Sequence, residues 1–241
     1  MARLSNDELV QAIMADIRRG ELADAHRKLP AEPELMARYD VTRYALRQAL
    51  QALGTMGYTY QMHGVGTFVR TQQAGDSIAL EHSGGLSAEA ARIGRQLTTA
   101  TASKRECRVD QAEFRPNNYQ FEPDERLLAL ERFRAMDQQP YVVEHSYYLK
   151  SVIEEIPDSA LYGSLFEFCE AQQHIKIGFI DQIIMSEPLP KVAADYLQLP
   201  VGAPCLVVQD ETYLSTGQLL AFSKQYYDYR QAKMFMVKKI H

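Results

Sequence analysis

Val41-Thr-Arg-Tyr-Ala-Leu-Arg-Gln-Ala-Leu50 decides how the first third of this 241-residue chain is read. Thr42 is a helix-capping residue type, and the apolar positions Leu46, Leu50 and Leu53 recur with helical spacing. Gly54 or Gly57 stops the helix. Arg43 and Arg47 stand four apart, so they share one face, opposite the leucines. Just downstream, Tyr58–Gln61 and Thr67–Arg70 alternate as strands around Gly64-Val-Gly66, a glycine-pivoted hairpin. Upstream, Asp40-Val41 supplies a short turn. The segment Leu29-Pro-Ala-Glu-Pro-Glu-Leu35 opens another helix that runs to about Tyr39, with its prolines tolerated near the first turn. Further back, Ser5-x-x-Glu8 is a capping box, followed by Leu9, Ile13 and Ile17 on one stripe and ended by Gly20.

The order is capped helix, helix, short turn, arginine helix and glycine hairpin, which is the layout of a winged helix-turn-helix. Arginine is the side chain best suited to guanine O6 and N7 in the major groove. Arg43 and Arg47 are therefore candidate base readers, with Tyr44 and Gln48 flanking them. Gly64, Gly66 and Thr67 form the wing tip, where glycine lets backbone approach a phosphate or the minor groove. The competing reading is a solvated helix face beside an ordinary hairpin.

The overall balance is acidic, with a net charge of −5. Residues 1–70 carry nine basic groups against eight acidic ones, and the remainder carries 17 against 23. The asymmetry has the sign expected of a DNA-binding head, but it is mild. Recognition then rests on a few placed arginines, doubled by dimerisation, rather than on bulk charge. Hydrophobic residues make up 46% of the chain, ample for packed cores, and no apolar run approaches membrane-spanning length. No signal-peptide pattern opens the chain, and a cytoplasmic location is expected. Cys107, Cys169 and Cys205 are odd in number and far apart, which reads as buried thiols rather than disulfides or a zinc site.

Beyond residue 70 the composition shifts. Residues 71–86 read as a linker with one short strand at Ser77–Leu80. A helix is expected from Ser87 to about Leu97. Leu127–Met136 and Tyr141–Tyr148 read as strands around the turn Asp137-Gln-Gln-Pro140. Ser164–Gln172 reads as a helix, Ile175–Ser186 and Cys205–Leu214 as strands with a helix at Lys191–Leu197 between them, and Leu219–Tyr227 as a final strand. Hairpin-linked strands with few helices indicate an antiparallel α+β domain. The expected organisation is residues 1–70 as the DNA-binding domain, 71–86 as linker and 87–241 as an effector-binding and dimerisation domain.

The motifs Leu29-Pro-Ala-Glu32, Val41–Leu50 and Gly64-Val-Gly-Thr-Phe-Val69 resemble the signature of GntR-family bacterial transcription regulators. Leu130-Glu-Arg-Phe-Arg134, Glu144-His-Ser-Tyr-Tyr148, Leu165-Phe166, Leu197–Pro204 and Tyr213-Leu-x-x-Gly217 resemble, in order, the HutC-type branch. The resemblance covers nearly the whole chain. It implies a C-terminal UTRA domain, a six-stranded antiparallel sheet with helices, similar to chorismate lyase. It also implies a dimer on a pseudo-palindromic operator, controlled by a small effector. Three positions depart from the pattern: Pro33, Ala45 and Val65 stand where the family often has DNA-contacting types.

Arg132 and Arg134, two apart on a strand, point to one face and suggest an anion site; a surface ion-pair ladder is the alternative. The resemblance places the matching arginines in the effector pocket, together with Ser87, Glu144, Ser164 and Tyr227. Glu144 is suited to hydroxyls or an amine, and Ser164, at a helix start, to a phosphate. Here too the pattern is broken: Phe166 replaces a tyrosine, Ala88 an aromatic and Ala221 an acid. Tyr147, Tyr148, Tyr226 and Tyr229 make an aromatic neighbourhood that serves sheet packing or ligand stacking. His145 and His174 read as structural, and no metal or cofactor is implied. The expected function is an effector-responsive repressor of transcription, released by a small anion such as a sugar phosphate. The alternatives are a constitutive DNA-binding protein whose second domain only dimerises, and a chorismate-lyase-like enzyme, against which no nucleophile–base pair or cofactor loop is evident.

Overall fold

The computed structural model describes residues 4–70, 77–80, 85–117, 119–122, 124–171 and 175–236. Most of the expected linker, the end of the helix expected to reach Gln172, and His174 lie outside the described residues. The chain divides between Gly75 and Asp76 into two compact units, the second running to Met234.

In the first unit, α1 (Asn6–Arg19) opens with the expected capping box: Ser5 Oγ accepts from the Glu8 N–H, and Glu8 accepts from the Ser5 N–H. Gly20, in the left-handed region, ends it. Helix α2 (Glu32–Tyr39) has proline in its first turn and stops at Asp40, also left-handed. Helix α3 (Arg43–Thr55) begins where Thr42 Oγ1 accepts from the Ala45 N–H. Leu9, Ile13, Leu35, Leu46, Leu53 and Tyr58 form the buried core between the three helices. Strands β1 (Thr59–Met62) and β2 (Gly66–Val69) pair antiparallel, and Leu29 donates to the Thr67 carbonyl, tying the chain before α2 to the wing. Gly64 and Gly66 have φ of 72° and 142°, values that an L side chain rarely adopts, so the tip needs glycine at both.

The second unit is built on a six-stranded antiparallel sheet in the order β4-β5-β6-β9-β8-β7. The short strand β3 (Ile78–Ala79) lies over it, and Ile78 donates to the Lys233 carbonyl. The next helix, α4, spans Gly85–Arg92 and is shorter than expected: Gly94 turns the chain, and Leu97 already starts a strand. That strand, β4 (Leu97–Arg108), is absent from the sequence reading, because it is an edge strand with mostly exposed polar side chains and no apolar stripe. Strands β5 (Arg126–Met136) and β6 (Gln139–Leu149) form the expected hairpin. Asp137 and Gln138 both take positive φ, as a two-residue turn between right-twisted strands requires, so Pro140 belongs to the strand rather than the turn.

Two short helices follow, α5 (Asp158–Leu161), not foreseen, and α6 (Leu165–Ala171). Strand β7 (Ile177–Pro188), helix α7 (Lys191–Leu197), β8 (Pro204–Leu214) and β9 (Leu219–Tyr227) complete the unit. One face of the sheet is covered by aromatic packing, with Tyr147 stacked on Phe222 and Phe114 edge-on to both, and by α7 against Val143 and Val207. The three cysteines are free and buried.

Candidate functional site

On the first unit, α3 presents Arg43, Tyr44, Arg47 and Gln48 to solvent, with the Arg43 and Arg47 side chains 62% and 64% exposed. Their shared face is as expected, yet they are not free. Glu32, at the start of α2, accepts from Arg47 Nε at 3.0 Å and lies 3.7 Å from Arg43 Nε. Gln48 Nε2 donates to the Tyr44 hydroxyl at 2.7 Å. One carboxylate thus braces both arginines in parallel. Glu32→Gln is expected to raise affinity for non-specific duplex DNA a few-fold, because it removes one competing negative charge from the arginine face. A salt-series binding titration on scrambled DNA checks this; unchanged affinity would mean that the exposed pair is already dissociated in solution.

On the second unit, β5, β6, β9 and β8 turn alternate residues toward a cavity of about 330 Å³, roofed by β3, α4 and the start of α6. Ser87, Arg132, Arg134, Glu144, Ser164 and Tyr227 all line it. Arg132 and Glu144 are cross-strand partners in the β5–β6 register, which brings their heads together: Arg132 Nη2 reaches the two carboxylate oxygens at 2.8 and 2.7 Å. Arg132 Nη1 donates to the Gly163 carbonyl. Arg134 is held less firmly. It donates to Ser87 Oγ at 2.7 Å and stands 3.7 Å from Glu144. Both arginines are buried, at 4% exposure, and the Nε of each is buried with no hydrogen-bond partner among the described residues. One carboxylate therefore faces two cations.

Burial and the neighbouring Arg132 charge push Arg134 down to about 10, so it stays cationic at neutral pH. For Glu144 burial acts upward, but Arg132 and Arg134 outweigh it and hold the carboxyl below its usual range. Glu131, a possible neutralising acid, points to the opposite face of the sheet, where it lies 3.0 Å from His145 Nε2. Ser164 lines the cavity, and its Oγ accepts from the Glu167 N–H as a helix cap. Tyr227 donates to Gln225 Oε1 at 2.5 Å and is buried. Of the four tyrosines of the aromatic neighbourhood, only Tyr148 lines the cavity; Tyr147 and Tyr226 pack on the other face, and Tyr229 is exposed.

The sequence reading missed Asp210, Gln182, Gln225 and Ser146, all of which line the same cavity. Alternation along β8 and β9 was a usable signal, since Asp210 and Thr212 share one phase and Ser223, Gln225 and Tyr227 another. Asp210 is buried, and its oxygens accept from Gln182 Nε2 at 2.9 Å and Gln225 Nε2 at 2.7 Å. Burial raises it to about 6, from the ordinary value near 3.8. A carboxyl whose folded pKa lies above its unfolded one penalises the fold at neutral pH, and the penalty lifts as pH falls through 6 toward 4. Asp210→Asn is therefore expected to raise the melting temperature at pH 7.5 by a few degrees, the relief of the buried charge being offset in part because asparagine accepts from one of the two glutamine amides and turns its own NH2 toward the other. The advantage should shrink as the melts are taken down to pH 4.5; a pH-independent difference would contradict this account.

A winged helix-turn-helix joined to a cavity-bearing sheet domain defines a ligand-sensing DNA-binding regulator. Residues 5–69 match the bacterial regulatory proteins of the gntR family, and residues 93–233, more than half of the chain, match the UTRA domain. The chain belongs to this GntR/UTRA family of transcription regulators. It is 28% identical over 206 residues to the uncharacterised HTH-type transcriptional regulator YydK of Bacillus subtilis, covering 86% of each chain. It is 24% identical to the HTH-type transcriptional repressor NagR of the same organism, over 91% of this chain and 88% of that one. The crystal structure of YydK superposes with a TM-score of 0.78 at 26% identity, covering 98% of this chain and 100% of that one. Among the described residues, no helix is long and apolar enough to cross a membrane.

Proposed function

We propose that this protein is a cytoplasmic, homodimeric repressor released from its operator by a small anionic metabolite, a phosphorylated sugar or a close chemical relative. The observation that carries the reading is Arg134. It is a buried cation facing the cavity, with one hydroxyl as its hydrogen-bond partner, an orphaned Nε and only a share of Glu144. Leaving such a group without an anion is costly, so an anionic ligand is its natural complement. Ser87 and Ser164 would add donors around that anion, while Glu144 and Tyr227 line the remainder of the cavity. Two relatives, NagR and the mannosyl-D-glycerate transport/metabolism system repressor MngR of Escherichia coli, are repressors by name, and the latter is tied to sugar-derived metabolism. Arg43, Tyr44, Arg47 and Gln48 are the proposed operator contacts on α3, with Gly64, Gly66 and Thr67 at the wing. Gel shifts on operator DNA, titrated with sugar phosphates, carboxylates and uncharged sugars, test the reading. Release by an uncharged sugar that persists in Arg134→Ala would overturn it.

Dimerisation is assigned to the second unit. Strand β7 is an unpaired outer edge that exposes Phe179, Ile183 and Ile184, the kind of strand that seeks a partner. One weakly charged head has little affinity, and two heads on one palindrome gain avidity. Light scattering at micromolar concentration is expected to return twice the chain mass, and Ile184→Lys is expected to lower it. A monomeric parent would remove dimerisation from the proposal.

A further inference from the structure

The cavity has a second pole, and it is negative. Asp210 (β8), Ser223 (β9) and Ser146 (β6) are aligned in one row across the sheet, next to the row that holds Arg132, Glu144 and Gln225. All three side chains are buried and line the cavity. Among the described residues, the side-chain partners of Asp210 are two neutral amides, Gln182 and Gln225, and no cation. Ser146 is 2% exposed, and its Oγ has no hydrogen-bond partner among the described residues. At the other pole, Arg132 and Arg134 share the single carboxylate of Glu144. A surplus positive charge therefore stands on β5 and an uncompensated negative one on β8. Three strand spacings separate these two strands, about 14 Å between backbones, and the long arginine side chains bring the poles within reach of one small molecule.

We infer that the effector carries two charges, an anionic group for Arg134 and a protonated amine for Asp210, with the Ser146 hydroxyl accepting from the same ammonium. An ammonium fits this row better than a hydroxyl does. It donates three hydrogen bonds and supplies the cation that the buried carboxylate lacks. The row offers acceptors to receive them: the remaining lone pairs of Asp210 and the unpartnered Ser146 oxygen. An uncharged sugar end would leave Asp210 as a buried anion in the complex, as it is in the ligand-free chain. Asp210 is thus a specificity-determining residue that discriminates amine from hydroxyl. The inference rests on the anion-clamp reading above and deepens it.

The test compares matched pairs on the full-length chain, by isothermal titration and thermal shift. The pairs are O-phosphoethanolamine against 2-hydroxyethyl phosphate, and glucosamine 6-phosphate against glucose 6-phosphate. The expected result is that in at least one pair the amine ester binds ten-fold or more tightly than its hydroxyl counterpart. In Asp210→Asn that ratio should fall to within three-fold of unity, and Ser146→Ala should reduce it part of the way. Equal binding within both pairs overturns the inference, as does a preference that survives Asp210→Asn. If hydroxyl esters bind, depend on Arg134 and show no disadvantage, the amine pole fails and the anion clamp stands. If none of the four esters binds, both fail. The comparison within each pair is made on the parent chain, so it does not depend on how well a variant folds.

Discussion

Arg132→Ala is expected to destabilise the second unit severely, whereas Arg134→Ala, two residues away on the same face, is expected to leave it folded and unresponsive to ligand. The two arginines have equal burial but different partners. Arg132 is the hydrogen-bond partner of Glu144 through both carboxylate oxygens and also anchors the Gly163 carbonyl ahead of α6. Removing it strands a buried carboxylate, and breaking a buried pair from one side costs about 3–5 kcal/mol. Arg134 stands 3.7 Å from the same carboxylate and offsets part of this, so the lower end of the range applies. The melting temperature should fall by roughly 10 °C. The triple variant Arg132→Met, Arg134→Met, Glu144→Gln should recover most of the loss, because a cluster replaced by neutral groups of similar volume leaves no unpaired charge among the three positions. Arg134→Ala instead removes a buried cation that the ligand-free chain satisfies poorly. Its melting temperature should change by no more than a few degrees, while stabilisation by phosphate esters disappears. Thermal melts of the four proteins with and without ester decide this. Equal destabilisation by the two single variants would show that the arginines act as one structural unit and that neither is reserved for ligand.

The other large effect belongs to α3. Arg43→Ala and Arg47→Ala are each expected to weaken operator binding far more than binding to scrambled DNA. Losing a bidentate guanine contact costs about 1–3 kcal/mol, and a dimer on two half-sites incurs the loss twice, so operator affinity should drop by two to four orders of magnitude. Both residues must first leave Glu32, which holds Arg47 at 3.0 Å. That exchange is cheap, since the arginines are exposed and surface ion pairs contribute little. Binding isotherms on both DNAs at one fixed salt concentration measure the ratio. Equal losses on operator and scrambled DNA would reassign the two arginines to phosphate contacts.

The first unit was legible nearly residue by residue, because its signals are local. A capping box needs only Ser5 and Glu8, three residues apart. The bracing of Arg43 and Arg47 was not legible, because Glu32 lies on another helix and its approach depends on how α2 crosses α3. In the second unit, apolar strands were found and the polar edge strand β4 was not, since hydrophobic alternation marks a strand only where one of its faces is buried.

The sequence by itself determined the winged helix-turn-helix, the antiparallel character of the second domain and the shared phase of Arg132 and Arg134, because caps, turns and strand alternation act over a few residues. Only the tertiary structure decided what those arginines meet. The strand order β5-β6-β9-β8 sets Glu144 opposite Arg132 and carries Asp210, 78 residues further along the chain, to the same cavity. Whether a buried charge is neutralised or left for a ligand depends on distances between strands that are far apart in the chain, and these exist only once the sheet has formed.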